Sequence, residues 1–471
     1  MNNWINRTMK WALCLVAVAA LFGACSKDED PAWMALDSTS LFVDGLGKTA
    51  TLGFTSESLQ SVTVTDVPKG WTITADLSKK MITVTAPVAL ADSVVKSGTV
   101  IITGHSYESN YLVNKLFVSL SNRVDLSAQP SNCYILSQSH TEYLIDLTKR
   151  GELSADAALP VVEAKLVWQT SADLIKYLKY KDGKLAFHVN GDGKGALVEG
   201  NALIGAYDAA GNMLWNWHLW VVDAADVKEQ TYANGKTFMS LNLGAAGNTN
   251  TTNAEILASY GLFYQWGRKE PFVGPATYNV AQAKDRTLYD EAGRKIALTY
   301  VASTAEIGTS TYAAAHPLDF ILGVEASNYD WMYATHTEAF WGDAKTVNDP
   351  CPRGWRLPSK ADFAGLTIVD KAVGNDKQFG WMLTDGAVQA YYPAAGFRTY
   401  LKGNIQNVYN PVSGVAVPKP WVGYYWTSGV EATRSAAMFF WLDAADVQQS
   451  GIEISTPQYR ANGMQIRCVK G

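Results

Sequence analysis

Six histidines, five cysteines and 44 carboxylates are the groups with which this chain could do chemistry, and their spacing says little in favour of catalysis. His105, His140, His188, His218, His316 and His336 are nowhere three to five residues apart, the separation that would place two imidazoles on one helix face as zinc ligands, and no Cys-x-x-Cys pair exists. Asn190-Gly191-Asp192-Gly193-Lys194-Gly195 resembles a calcium loop, but Lys194 falls where a ligand is needed and Asn201 where a bidentate Glu should be, so a plain turn is expected. There is no Gly-x-Ser-x-Gly elbow and no phosphate-cradling Gly-Lys-Ser/Thr loop. A glycosidase needs two carboxylates about 5–10 Å apart in a cleft, and nothing in the sequence nominates a pair. No catalytic residue, metal or cofactor is expected.

One thiol does stand in a chemically legible place. Arg7 and Lys10 precede an uncharged run from Trp11 to Ala24, then come small residues, Cys25, and the charged stretch Lys27-Asp28-Glu29-Asp30. A basic start, a short apolar run and small residues before a cut form a signal peptide over residues 1–24. At about 14 residues the run falls short of the roughly 20 that span a bilayer. The stretch Leu21-Phe22-Gly23-Ala24-Cys25 resembles a bacterial lipobox, with Phe22 where Leu is usual. That resemblance implies acylation of Cys25 and anchoring in outer-membrane lipid. The acidic residues that follow resemble the export signal of Bacteroidetes surface lipoproteins, which implies display toward the cell exterior. Residues 25–33 then act as the acylated tether.

Removal of residues 1–24 takes away Arg7 and Lys10 and no acid, leaving 37 basic and 44 acidic side chains and a net charge of −7. Such a balance offers no electrostatic footprint for nucleic acid and no basic patch for anionic lipid, so the acyl chains must hold the membrane. With 48% hydrophobic and 18% charged residues the chain is suited to packed β-rich domains. Of the cysteines, Cys14 leaves with the signal peptide and Cys25 is acylated, so Cys133, Cys351 and Cys468 remain, one pair and one buried thiol in the simplest arrangement.

The elements that must carry these residues fall into three stretches. Over residues 34–122, Ser61–Thr65, Trp71–Thr74, Met81–Thr85 and Gly98–Thr103 alternate with period two and are separated by turn signals such as Pro68-Lys69-Gly70, which predicts a β-sandwich. Over 123–228, Cys133–Leu136 and Tyr143–Leu147 read as strands, Asp182-Gly183 as a hairpin turn, and Ala202–Tyr207 and Met213–Trp220 as strands flanking Gly211-Asn212. This predicts a second sandwich, with Trp215, Trp217 and His218 packing in its core or against a neighbour. From 229 to 471 Gly, Trp and loop signals rise, and Ser359 with Asp362 three residues on caps a helix start.

Three resemblances attach to these stretches. Val67-Pro68-Lys69-Gly70-Trp71 followed by Ile82–Pro87 resembles a BACON domain, an immunoglobulin-like module of gut bacterial surface proteins; Trp71 is expected to be core. Ser131–Tyr134 with Gly211–Trp220 resembles a sandwich region that recurs in Bacteroidetes surface lipoproteins. Finally Leu241–Ala245, Gly261–Pro271, Asp349–Pro358, Tyr392–Arg398, Tyr425–Ser428 and Gly463–Val469, in that order, resemble the Fibrobacter succinogenes major paralogous domain. That last likeness implies an irregular α+β, C-type-lectin-like domain without enzymatic activity, and it places Cys351 and Cys468 in motifs of one domain, where they are expected to pair.

The fold class expected is therefore multidomain: two all-β immunoglobulin-like sandwiches followed by an irregular α+β lectin-like domain. The tripeptides with which C-type lectins hold calcium and sugar are missing, so stacking on exposed aromatics is the expected chemistry, with Trp331, Tyr333, Trp341 and Trp421 as candidates because Gly, Pro or polar residues flank them. Arg356 and Arg398 are expected to bond loop carbonyls. The expected function is a surface lipoprotein that adheres to or recognises a glycan or a protein; a fimbria-associated or other assembly subunit is the alternative, and an enzyme of unassigned class a further one.

Overall fold

The computed structural model describes residues 32–89, 94–107, 111–152, 157–192, 196–278, 280, 282–334, 338–369, 379–407, 421–442 and 450–471. Cys25 and the acidic residues behind it lie outside the described residues, as do Gly193, Lys194 and Gly195 of the calcium-like stretch. The described chain is all-β.

Two four-stranded sheets make the first sandwich. One orders Trp33–Leu36, Thr49–Glu57, Met81–Thr85 and Thr72–Asp76; the other orders Ser40–Val43, Tyr111–Leu120, Ser97–Ser106 and Leu59–Thr65. Alternation in sequence becomes alternation in burial. Within Met81–Thr85 every second residue is buried, and along Ser97–Ser106 the inward set includes Val100 and Ile102. These side chains meet Phe54, Ile73, Val84, Leu116, Val118 and Trp71 in one core. Trp71 is buried, and its indole N–H donates to the carbonyl of Val95 at 2.9 Å. At the turn before it, Gly70 has φ +92°, a conformation open to glycine.

The second sandwich follows after one residue. Ile175–Lys181 and Lys184–Val189 form a hairpin whose two turn residues, Asp182 at φ +50° and Gly183 at φ +80°, both lie in the left-handed region that a two-residue primed turn requires. With Thr141–Asp146 and Asn122–Asp125 they complete a four-stranded sheet. A bulge between Lys176 and Lys179 leaves Tyr177 at φ +55°, with its ring stacked on Phe117 at 5.2 Å, while His188 stacks on Phe42 at 4.4 Å. Aromatic contacts thus join the two sandwiches.

The facing sheet has six strands: Cys133–Leu136, Met213–Val221, Gly200–Tyr207, Glu163–Gln169, Leu288–Tyr289 and Lys295–Ile296. Its last two strands come from beyond residue 228, so one sheet crosses the expected boundary. Both faces of this sheet are covered, which is why its strands read as almost unbroken apolar runs. On Met213–Val221, Trp215, Trp217, Leu219 and Val221 enter the core of the second sandwich, and Trp220 enters the core of the following region. Leu203 and Ile204 divide in the same way. A bulge between Leu166 and Trp168 lets those two residues face opposite cores.

The remaining stretch differs from the α+β expectation. Among the described residues it holds short strands, loops and two brief helices, Asn253–Ser259 and Ser310–Ala315, capped by Thr252 and Thr309. Ser359 and Asp362 do make a reciprocal capping box, but over a single 3-10 turn, Lys360–Phe363. The segments after these caps lack the repeated apolar spacing that would extend a helix, and long antiparallel strands take their place: Trp421–Glu431, Arg434–Leu442 and Gly451–Gln458. Cys351 and Cys468 form a disulfide that closes a separation of 117 residues. Cys133 is the free, buried cysteine. Among the described residues no helix is long and apolar enough to cross a membrane.

Candidate functional site

The four aromatic candidates are not brought together. Trp331 is 2% exposed and donates its indole N–H to the carbonyl of Trp266 at 2.7 Å. Trp341 is 1% exposed, donates to the carbonyl of Asn348 at 3.0 Å, and meets Trp266 edge-on at 5.6 Å. These two are therefore corrected from exposed stacking residues to core residues. Polar flanks describe the local backbone, not what folds over the ring. Tyr333 is half-buried, with its backbone N–H bonded to Gly308. Trp421, also half-buried, starts a strand at the margin of a different core.

Arg356 and Arg398 do bond loop carbonyls. Arg356 donates to the Leu357 carbonyl and forms an ion pair with Asp362 at 2.8 Å. Arg398 donates to the carbonyls of Gly403 and Val273 and to Asp285.

The arrangement nearest to catalytic machinery is one that spacing could not show. The neighbouring strands of the six-stranded sheet place Cys133 Sγ 3.2 Å from Nδ1 of His218, whose Nε2 lies 2.9 Å from Oδ1 of Asn201. Asn201 donates its amide to the carbonyl of Gly244, which turns its oxygen toward the imidazole. His218 therefore carries its proton on Nε2, and Nδ1 accepts the thiol proton. Thiol, imidazole and amide follow the order found in cysteine proteases. All three are buried, however, and none lines a cavity among those described. Burial pushes the Cys133 thiol well above its ordinary value and pulls His218 down to about 3, so the pair stays neutral at pH 7. The trio is a satisfied polar seam between two cores.

A cleft of about 280 Å³ does open where the second sandwich meets the following region. The start of the strand Met213–Val221 supplies Met213, Leu214 and Trp215, and the loop after Thr141–Asp146 supplies Arg150. The opposite wall is Gly267-Arg268-Lys269-Glu270, the helix Ser310–Ala315, Trp331 and Phe340. At Gly267, φ is +85° and an added Cβ would lie 3.1 Å from the Phe340 ring, so glycine lets the loop turn beneath that side chain.

Three charged side chains behind this wall are each less than 5% exposed. Lys269 Nζ reaches Glu270 at 2.9 Å and both oxygens of Asn216, at 2.6 and 3.0 Å. Arg268 reaches Glu270 at 3.4 Å, Gln265 at 2.8 Å and the carbonyls of Asp319 and Ala313. Burial lowers the pKa of both cations. It would raise that of Glu270, but Lys269 and Arg268 outweigh it and hold the carboxyl below its usual value. A net positive charge thus sits behind the cleft. Lys269 lies 4.1 Å and Arg150 5.5 Å from the centre of the Trp215 ring, both over it. Asn132 ties the same seam, donating to the carbonyls of Val347 and Asp349 and accepting from the Trp215 indole.

Chemically the cleft offers aromatic walls, exposed hydroxyls at Ser310 and Thr311, a half-exposed guanidinium and one carboxylate that is already paired. That set suits binding. Of the sequence candidates only Trp331 borders it. Arg150, Asn216 and the Arg268–Glu270 run went unrecognised, although three successive charges inside an apolar motif are a signal of a buried polar network.

No family model matches the chain, and no curated protein matches it. Solved structures resemble parts of it. The D00-D0 domain of intimin is 12% identical over 40% of this chain and 96% of its own, with a TM-score of 0.18. The titin Ig tandem domains A164-A165 are 11% identical over 40% and 95%, with a TM-score of 0.14. The Bacteroides ovatus mixed-linkage glucan utilization locus protein SGBP-B, in complex with a mixed-linkage heptasaccharide, is 9% identical over 40% and 45%, with a TM-score of 0.12. With scores this low, none of them bears on what this protein does.

Proposed function

We propose that this chain is a lipid-anchored outer-membrane protein, held by acyl chains on Cys25 and facing the cell exterior, that recognises a glycan or a protein surface. The first sandwich, read as a BACON-like immunoglobulin-type module, is the stalk. The second sandwich and the lectin-like region of the major paralogous type together present the binding cleft. The single observation that carries recognition is this cleft, walled by Trp215 and Phe340, with hydroxyl and guanidinium groups at its mouth. Clefts at domain junctions with aromatic walls and a few convergent polar groups are where ligands bind most often. The lipobox and the acidic tether support the location.

Cells displaying the full chain should be retained on a printed array of glycans and surface proteins in a saturable way. The variant Thr311→Trp, at an exposed position on the cleft wall, fills the opening and should abolish retention while surface display stays unchanged. Full retention of that variant, or no saturable retention of the wild type, would sink the reading.

A further inference from the structure

We infer that the cleft takes an acidic saccharide, a sugar ring bearing a carboxylate or sulfate, in preference to a neutral one. The inference rests on the recognition reading above and narrows it.

Charge sign is the first ground. The mature chain is net acidic, yet the charged residues lining this cleft are Arg150, Arg268, Lys269 and Glu270, three cations and one carboxylate. Glu270 is consumed by the two cations behind the wall, so the cleft keeps a positive field in surroundings that water enters only from the mouth. A field of that sign against low-dielectric walls draws in anions. Because Lys269 and Arg268 spend their protons on Asn216, Gln265, Glu270 and backbone carbonyls, they act on a ligand at a distance. Arg150, half-buried beside the Trp215 ring, is the group able to meet an anionic oxygen directly.

Size and surface are the second ground. About 280 Å³ accommodates one or two sugar rings and is far smaller than the footprint of roughly 800 Å² per partner in a standard protein interface. Trp215 and Phe340 offer apolar faces to the ring, and Ser310, Thr311 and Asn348 offer hydroxyl and amide groups to its alcohols.

The test is isothermal titration of the detergent-solubilised full chain with three probes: trigalacturonic acid, the neutral galactotriose, and triglutamate. Trigalacturonic acid should bind with one site per chain. Galactotriose should bind at least about tenfold more weakly, the loss expected on removing one charge-assisted hydrogen bond. Arg150→Gln should weaken the acidic sugar by a similar factor. So should Thr311→Glu, which puts a like charge at an exposed position of the cleft wall without disturbing its packing. Both variants should melt at the wild-type temperature. If galactotriose binds as tightly as the acid and Arg150→Gln changes nothing, charge selection is wrong while recognition stands. If triglutamate binds as well as the acidic sugar, the saccharide class is wrong. If none of the three binds, the inference fails, and retention of the Thr311→Trp cells on the array decides the broader reading separately.

Discussion

Trp341 shows how much a single side chain depends on what folds over it. Its ring is sealed against Trp266 and its N–H is spent on Asn348. Truncation to Ala will cost about 3–5 kcal/mol, the usual range for a buried Trp, whereas Tyr333→Ala, at a half-buried position, will cost less than about half of that. Denaturant unfolding of the two variants gives the comparison. Histidines at the seams carry a second prediction. Burial holds His188, stacked on Phe42, and His218, between Cys133 and Asn201, near about 3 against an ordinary 6.5. The unfolded chain therefore takes up these protons more readily than the folded one. The stability each neutral ring contributes is complete above about pH 6.5 and drains away as pH falls toward 3, at about 1.4 kcal/mol per unit for each. Melting temperature will drop across that window, and His188→Phe will flatten the drop if the stack is the cause. An unchanged slope would remove His188 from the account.

At the scale of elements, the parts written in local pattern were legible and the parts made by distant contact were not. Period-two runs such as Met81–Thr85, the Asp182-Gly183 turn and the Ser359 cap each encode their own geometry within a few residues. The disulfide between Cys351 and Cys468, expected from their motifs, is present. In the chain-entropy picture, closing so long a loop contributes about 4–5 kcal/mol. The cleft gathers Arg150, Trp215, Lys269, Thr311 and Phe340 from five separate segments, and no periodicity links them. The six-stranded sheet left a trace that was readable only in part. The apolar run Trp215–Val222 marked packing on both faces, but not that the second cover comes from beyond residue 228. A consequence is testable by expression. A fragment of residues 123–228 exposes Trp168, Leu203 and Trp220, and leaves Cys133, His218 and Asn201 without their roof. It will be insoluble or molten, while the chain from residue 123 to the end will be soluble. A folded, monomeric 123–228 fragment would contradict the shared-core description.

For the whole molecule, the account joins an anchor, a stalk and a two-part head. Cys25→Ala will leave the protein uncleaved or soluble, and fractionation of cells into membrane and soluble pools will show it; membrane partitioning equal to wild type would remove the anchor. The central claim is that ligand is taken at the seam between the second sandwich and the region that follows. Amide hydrogen exchange of the full chain with and without the tightest-binding array ligand tests it most directly. The account predicts slowed exchange concentrated in residues 213–215, 267–270 and 310–314, with the first sandwich unchanged. Protection confined to the first sandwich, or to the strands Trp421–Glu431 and Gly451–Gln458, would contradict it.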